Sequence, residues 1–140
     1  MDLGHWKLKE GLEFIPNAFG FIYTITNNAI NPSKHYIGKK QCLSRIKRKP
    51  LKGKTRNRID HKESDWKTYT GSSKELNEDI EKYGKENFEF VILEWCGSKF
   101  ELGYKEIKLQ ILKDVLLNEN YYNGIINCRL GKPPKNFKHD

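Results

Sequence analysis

From Phe19 to Thr26 the chain reads "FGFIYTIT", bulky residues alternating with the period of two that suits a half-buried strand. "NNAINPSK" follows with Asn, Pro and Ser, which favour turns, and "KHYIGKK" reads as the returning strand of a hairpin. "NFEFVILEW", Asn87 to Trp95, is a third strand whose apolar second half predicts burial. Two segments change period. In "GSSKELNEDIEKYG", Leu76, Ile80 and Tyr83 recur at helical spacing, Ser72 and Glu75 stand at capping-box separation, and Gly84 suits the end of the helix. A longer helix is predicted over about Lys99 to Leu117, with Tyr104, Ile107, Ile111 and Val115 on one ladder and Leu102, Leu109 and Leu116 on another. Glu106 lies between Leu102 and Leu109, so its carboxylate is expected beside apolar surface.

The remaining segments lack a core pattern. Residues 1–18 read as an N-terminal extension with Trp6, Leu8, Leu12, Phe14 and Ile15 available for docking. "LSRIKRK" suggests a short helix, broken by Pro50 and Gly53, and 41–65 as a whole reads as an exposed basic loop. Residues 129–140 read as a basic, Pro-containing, flexible tail. The order strand, strand, loop, helix, strand, helix predicts one α/β domain over 19–128, with a small, mainly antiparallel three-stranded sheet flanked by helices.

Charge sharpens this picture. The net charge is +8, yet Lys34 to Arg58 holds eleven Lys or Arg and no Asp or Glu, while the rest of the chain has fifteen basic and eighteen acidic residues. One segment therefore makes the protein basic, as suits attraction to a polyanion with counterion release. Cys42, Cys96 and Cys128 are far apart and form no CxxC pair, which argues for reduced thiols and against a structural zinc site. No apolar run has the length of a membrane span or the form of a signal peptide, so a cytoplasmic location and no membrane partner are expected.

The triplets Phe21-Ile22-Tyr23 and Tyr36-Ile37-Gly38, followed in order by "EKYGKENFEFVILE", "YKEIKLQ" and "YYNG", resemble the GIY-YIG nuclease domain over about residues 19–127. "ESDWKTYTGSSKEL" and "YYNGII" resemble its small, SegE-like, freestanding phage homing endonucleases. Phe21 stands where the family's first motif has Gly. The resemblance implies hydrolysis of a DNA phosphodiester with one divalent metal, Mg²⁺ or Mn²⁺, on double-stranded DNA. A homodimer on DNA would allow both strands to be cut.

It also implies roles. Glu106 is the metal ligand, with Glu101 as reserve; Mg²⁺ keeps several waters, so one carboxylate suffices. Tyr36 is a general base or water-orienting hydroxyl, and Tyr23 is the second hydroxyl. A free tyrosine has a pKa of about 10, so a base role calls for neighbouring cations such as Lys39 and Lys40. The family's phosphate-binding arginine corresponds best to Arg45, with Arg48 and Arg58 as rivals, and its His/Tyr partner to Tyr69 ahead of His61. Asn123 is the terminal orienting asparagine, with Asn127 as alternative. Lys39, Lys40, Lys47, Arg48, Lys49, Lys52, Lys54, Arg56, Arg58 and His61 are expected to hold the DNA. A module that keeps the fold and binds nucleic acid without cutting is the competing reading.

Overall fold

The structure, a computed structural model, describes residues 2–127 and 129–137; the side chains of residues 45–47, 59 and 60 are outside the described set. Strand β1 is Lys7–Leu8, β2 Gly20–Asn27, β3 Lys34–Gln41, β4 Leu43–Arg48, β5 Arg58–Glu63 and β6 Phe88–Cys96; helix α1 is Lys74–Tyr83 and α2 Lys99–Leu112. β2 pairs antiparallel with β3 on one side and with β6 on the other, and β1 adds to β6 in parallel, giving the order β1-β6-β2-β3. The three predicted strands form the body of this sheet, and the fourth comes from the N-terminal extension.

Alternation along β2 divides the core. Phe21, Tyr23 and Ile25 face one side with Trp6, Leu76, Phe90 and Ile92, while Ile22 faces the other with Ile37, Leu102 and Val115. α1 covers the first face through Leu76, with Ile80 and Tyr83 at its border. α2 covers the second through Leu102 and Ile107. Trp6 locks the N-terminal segment into the first layer. Its ring lies 5.1 Å from Phe21, 4.9 Å from Tyr23 and 5.6 Å from Phe90, centroid to centroid.

Several local predictions need correction. β4 and β5 form an antiparallel hairpin, with Leu43 opposite Glu63 and Arg48 opposite Arg58, where the sequence suggests a short helix and a loop. β-branched isoleucine, present in both segments, favours pairing across a ribbon over a helix, and Pro50 with Gly53 serves the bend between the strands. The α1 cap is Ser73, whose side chain accepts from the Leu76 amide; Ser72 is used elsewhere. α2 stops at Leu112, five residues before the predicted end, and a turn with Asp114 at φ 50° swings Val115 into the core. Ile111 and Leu116, placed on apolar ladders, are exposed. In the tail, Phe137 packs against Phe100 and Tyr104 of α2, and Leu130 lies over Gly103. Cys42 and Cys96 are buried free thiols, with burial pushing their pKa values to about 11 and about 12; Cys128 is outside the described residues.

Trp6 is only 4% exposed. Trp6→Ala is expected to lower stability by about 3–5 kcal/mol in urea denaturation. A loss below about 1 kcal/mol would mean that the N-terminal segment is not part of the core.

Candidate active site

β3 is an edge strand, so alternate backbone groups point away from β2 and need other partners. Those of His35 and Ile37 are met in turn. The His35 amide donates to the Asn120 carbonyl at 2.7 Å, and the His35 carbonyl accepts from the Tyr122 amide at 2.7 Å. The Ile37 amide donates to Asn123 Oδ1 at 3.1 Å, while the Ile37 carbonyl accepts from Asn123 Nδ2 at 2.8 Å and from Gln110 Nε2 at 2.9 Å. The Lys39 amide faces the Glu106 carboxylate and helps to lower its pKa. The outer edge of β3 thus draws residues 120–123 and one face of α2 against it. Gln110 grips this edge, and Glu106, one helical turn before it, lies beside the next outward position, Lys39.

On the inner face, Tyr23 stands directly opposite Gly38. A Cβ on Gly38 would lie 2.5 Å from the Tyr23 hydroxyl oxygen and 2.7 Å from Cζ, so the glycine of the second triplet is the space through which that ring passes. Tyr36 lies diagonally across, its ring 6.2 Å from that of Tyr23. Tyr69 comes from the turn before α1, and its ring meets Tyr23 edge-on at 6.2 Å. Ser72 completes the group: its hydroxyl is 3.1 Å from that of Tyr36 and lies near that of Tyr69, which in turn lies near the Tyr23 hydroxyl. Gly71, at φ 85°, permits the turn, and a Cβ there would crowd Tyr36 at 3.3 Å. The Tyr69 carbonyl accepts from His5 Nε2 at 2.9 Å, with the His5 ring stacked on Phe90.

Burial sets the protonation states. It pushes Tyr23 well above the ordinary tyrosine value of 10.0, and it also raises Tyr36 and Tyr69. All three are further raised by the negative charge of Glu106. They are neutral hydroxyls near pH 7. Neither nearby lysine is applied to Tyr36. Lys40 Nζ pairs with Asp65 at 2.7 Å and sits 4.1 Å over the Tyr69 ring. Lys39 Nζ is 3.9 Å from Glu106 Oε1, with the lysine side chain 48% exposed and the glutamate 16%. Desolvation raises the Glu106 pKa above 4.5, offset in part by the Lys39 charge and amide. Glu101 is committed elsewhere: it accepts from the Gly97 amide at 2.7 Å at the start of α2.

Tyr23, Tyr36, Tyr69 and Glu106 are therefore brought together, with Lys39 and Lys40 at the rim. Asn123 is buried, and its amide is spent on the Ile37 backbone. The side chains of Arg45 and Lys47 are outside the described residues; their backbones lie on β4. Arg48 ends β4, Lys49, Lys52, Lys54 and Arg56 occupy the exposed connection, and Arg58 and His61 lie on β5. His61 is thus on the hairpin, opposite Arg45 in register, while Tyr69 is beside Tyr23. Sequence reasoning missed Ser72, which it assigned to a cap, and also Gln110 and His5. Only Gln110 carried a signal, its spacing of four from Glu106.

A family model described as "Putative endonuclease segE, GIY-YIG domain" matches residues 6–126. No curated protein and no solved structure gives a significant match.

Two outcomes test this framework. Asn123→Ala strips the Ile37 amide of its acceptor and is expected to cost about 1–3 kcal/mol in urea denaturation; an unchanged midpoint would contradict the clamp. His5 has its pKa pushed down to about 4 by burial. Its contribution to stability is complete above the ordinary value of 6.5 and is lost as the pH falls toward about 4. His5→Phe should therefore flatten the acid slope of stability over that window, and an unaltered slope would remove His5 from the account.

Proposed function

Because the chain belongs to the segE GIY-YIG domain family, we propose that it is a metal-dependent DNA endonuclease that hydrolyses phosphodiester bonds. The observation carrying this reading is the convergence of three neutral tyrosine hydroxyls, one desolvated carboxylate and an exposed lysine on one stretch of β3. On this reading the chain acts as a freestanding nuclease on phage or mobile-element DNA in a host cytoplasm. No helix among the described residues is long and apolar enough to cross a membrane.

Glu106 is the residue that would hold Mg²⁺ or Mn²⁺. The donor set suits such an ion: a hard oxygen ligand desolvated on its protein side, with no cluster of three or more His, Cys, Asp or Glu among the described residues. Mg²⁺ retains waters and takes the rest of its shell from them and from phosphate. When bound, the ion polarises the phosphate and neutralises charge on the leaving oxygen.

The chain's own residues do the rest. Lys39, half exposed beside Glu106, pairs with a phosphate oxygen and keeps the carboxylate ionised. Tyr36 acts as the water-orienting hydroxyl rather than as a ready base, since burial holds its proton on. Ser72 holds the Tyr36 hydroxyl, and the Tyr69 ring packs edge-on against Tyr23. Asn123 and Gln110 position the strand and touch no substrate. One such site cuts one strand, and two chains on one duplex would cut both.

Supercoiled plasmid tests this. Wild type is expected to nick it with Mg²⁺ and to stop with EDTA, and Glu106→Gln to slow nicking by about 100-fold or more. Because the folded-state pKa of Glu106 is raised, its ionised form costs stability as the pH rises through that value. Glu106→Gln should therefore raise the metal-free Tm at pH 7, with no gain below pH 4.5. Mg²⁺ should raise the Tm of wild type and leave that of the variant unchanged. Nicking that survives EDTA or Glu106→Ala would overturn the assignment, and binding without nicking would favour a module that only binds DNA.

A further inference from the structure

The β4–β5 hairpin is a two-stranded sheet of its own, with six residues in each strand and no pairing to the main sheet among the described residues. Such ribbons are marginal alone in water, and their exposed edges call for a partner. Its root is firmly held. The Ser64 amide donates to the Cys42 carbonyl at 2.8 Å, Ser64 Oγ donates to the Gln41 carbonyl at 2.6 Å, and the Cys42 amide donates to Phe19 at 2.8 Å. Cys42 and Trp66 are buried there, whereas residues 48–58 are exposed.

The root also adjoins the active site. Lys40 precedes the hairpin and Tyr69 follows it, and these two residues are in contact at 4.1 Å. The charge is concentrated on the hairpin: residues 43–63 contain nine Lys or Arg against two Asp or Glu, which is nearly the whole excess of the chain.

We propose that the β4–β5 hairpin is a rigidly rooted arm that enters the major groove of duplex DNA and sets the position of the cut relative to the sequence it reads. This rests on the DNA-endonuclease reading. Six residues per strand give an arm of about 20 Å. Two strands about 4.8 Å apart, with side chains, match a major groove about 12 Å wide and are too broad for a minor groove of about 6 Å. Exposed Arg48, Lys49, Lys52, Lys54 and Arg56 supply phosphate contacts along the groove walls, and Thr55 and Asn57 at the turn can meet base edges. Because the arm leaves the wall formed by Lys40 and Tyr69, the groove it occupies lies at a fixed offset from the scissile phosphate.

The test uses the full chain with a labelled mixed-sequence duplex in EDTA, so that binding is read without cleavage. Methyl green, a major-groove ligand, is expected to displace the protein, and netropsin, a minor-groove ligand, is not. The variant Lys52→Gln/Lys54→Gln/Arg56→Gln alters only exposed side chains remote from the core. It should weaken binding by about 10-fold or more and reduce the slope of log K against log salt by about 2–3. Shortening the connection 49–57 to an Asn-Gly turn should abolish the methyl green effect, with an unchanged Tm confirming that the body is folded. Displacement by netropsin alone, or a triple variant with wild-type affinity and salt slope, overturns the proposal. Absence of plasmid nicking by a wild type that methyl green displaces would instead sink the endonuclease reading and leave the arm standing.

Discussion

The outer edge of β3 is the constraint on which the rest of the molecule depends. An edge strand presents unpaired amides and carbonyls, and a buried unpaired group costs about 1–3 kcal/mol. Here successive outward positions engage different parts of the chain: His35 takes the 120–122 backbone, Ile37 takes the Asn123 and Gln110 side chains, and Lys39 has the Glu106 carboxylate beside it. Satisfying that edge and assembling the site are the same event. Glu106 sits beside Lys39 because Gln110, one helical turn further on, holds α2 against the same edge. Burial there leaves the Glu106 side chain 16% exposed and desolvates the carboxylate.

The inner face follows from one missing side chain. Gly38 lets the Tyr23 ring lie flat across β3, which brings its hydroxyl toward Tyr69 and toward the field of Glu106. Trp6 and the His5 bond to Tyr69 close this layer from the N-terminal side, so residues that read as an extension belong to the support of the site. Below the tyrosines the protein is apolar and rigid. Above them, a charge-dense ribbon leaves the fold at Gln41 and returns at Ser64. The tyrosine layer and the ribbon meet at Lys40 and Tyr69.

What could be read from the sequence was what the core dictates. β2, β3, β6 and α1 carry clear apolar patterns because the core packs against them, on both faces in the case of β2. The ribbon could not be read so, since its strands exist by pairing with each other. β1 is only two residues long, too short for any periodic signal. The end of α2 was misplaced because the apolar pattern runs on through Val115, which is buried by a turn rather than by a helix. In the site, Tyr23, Tyr36, Tyr69 and Glu106 carried motif signals. Ser72, Gln110 and His5 act through backbone or hydroxyl contacts that depend on tertiary placement, and polar residues of that kind are common everywhere in a chain.

Amide hydrogen exchange across β3 tests the central claim most directly. On this account the His35 and Ile37 amides, although they lie on an edge strand, are protected to a degree approaching that of the β2 amides, and Asn123→Ala releases Ile37 while His35 stays protected. Exchange of both amides in the wild type at the rate of the exposed 48–58 connection would contradict it.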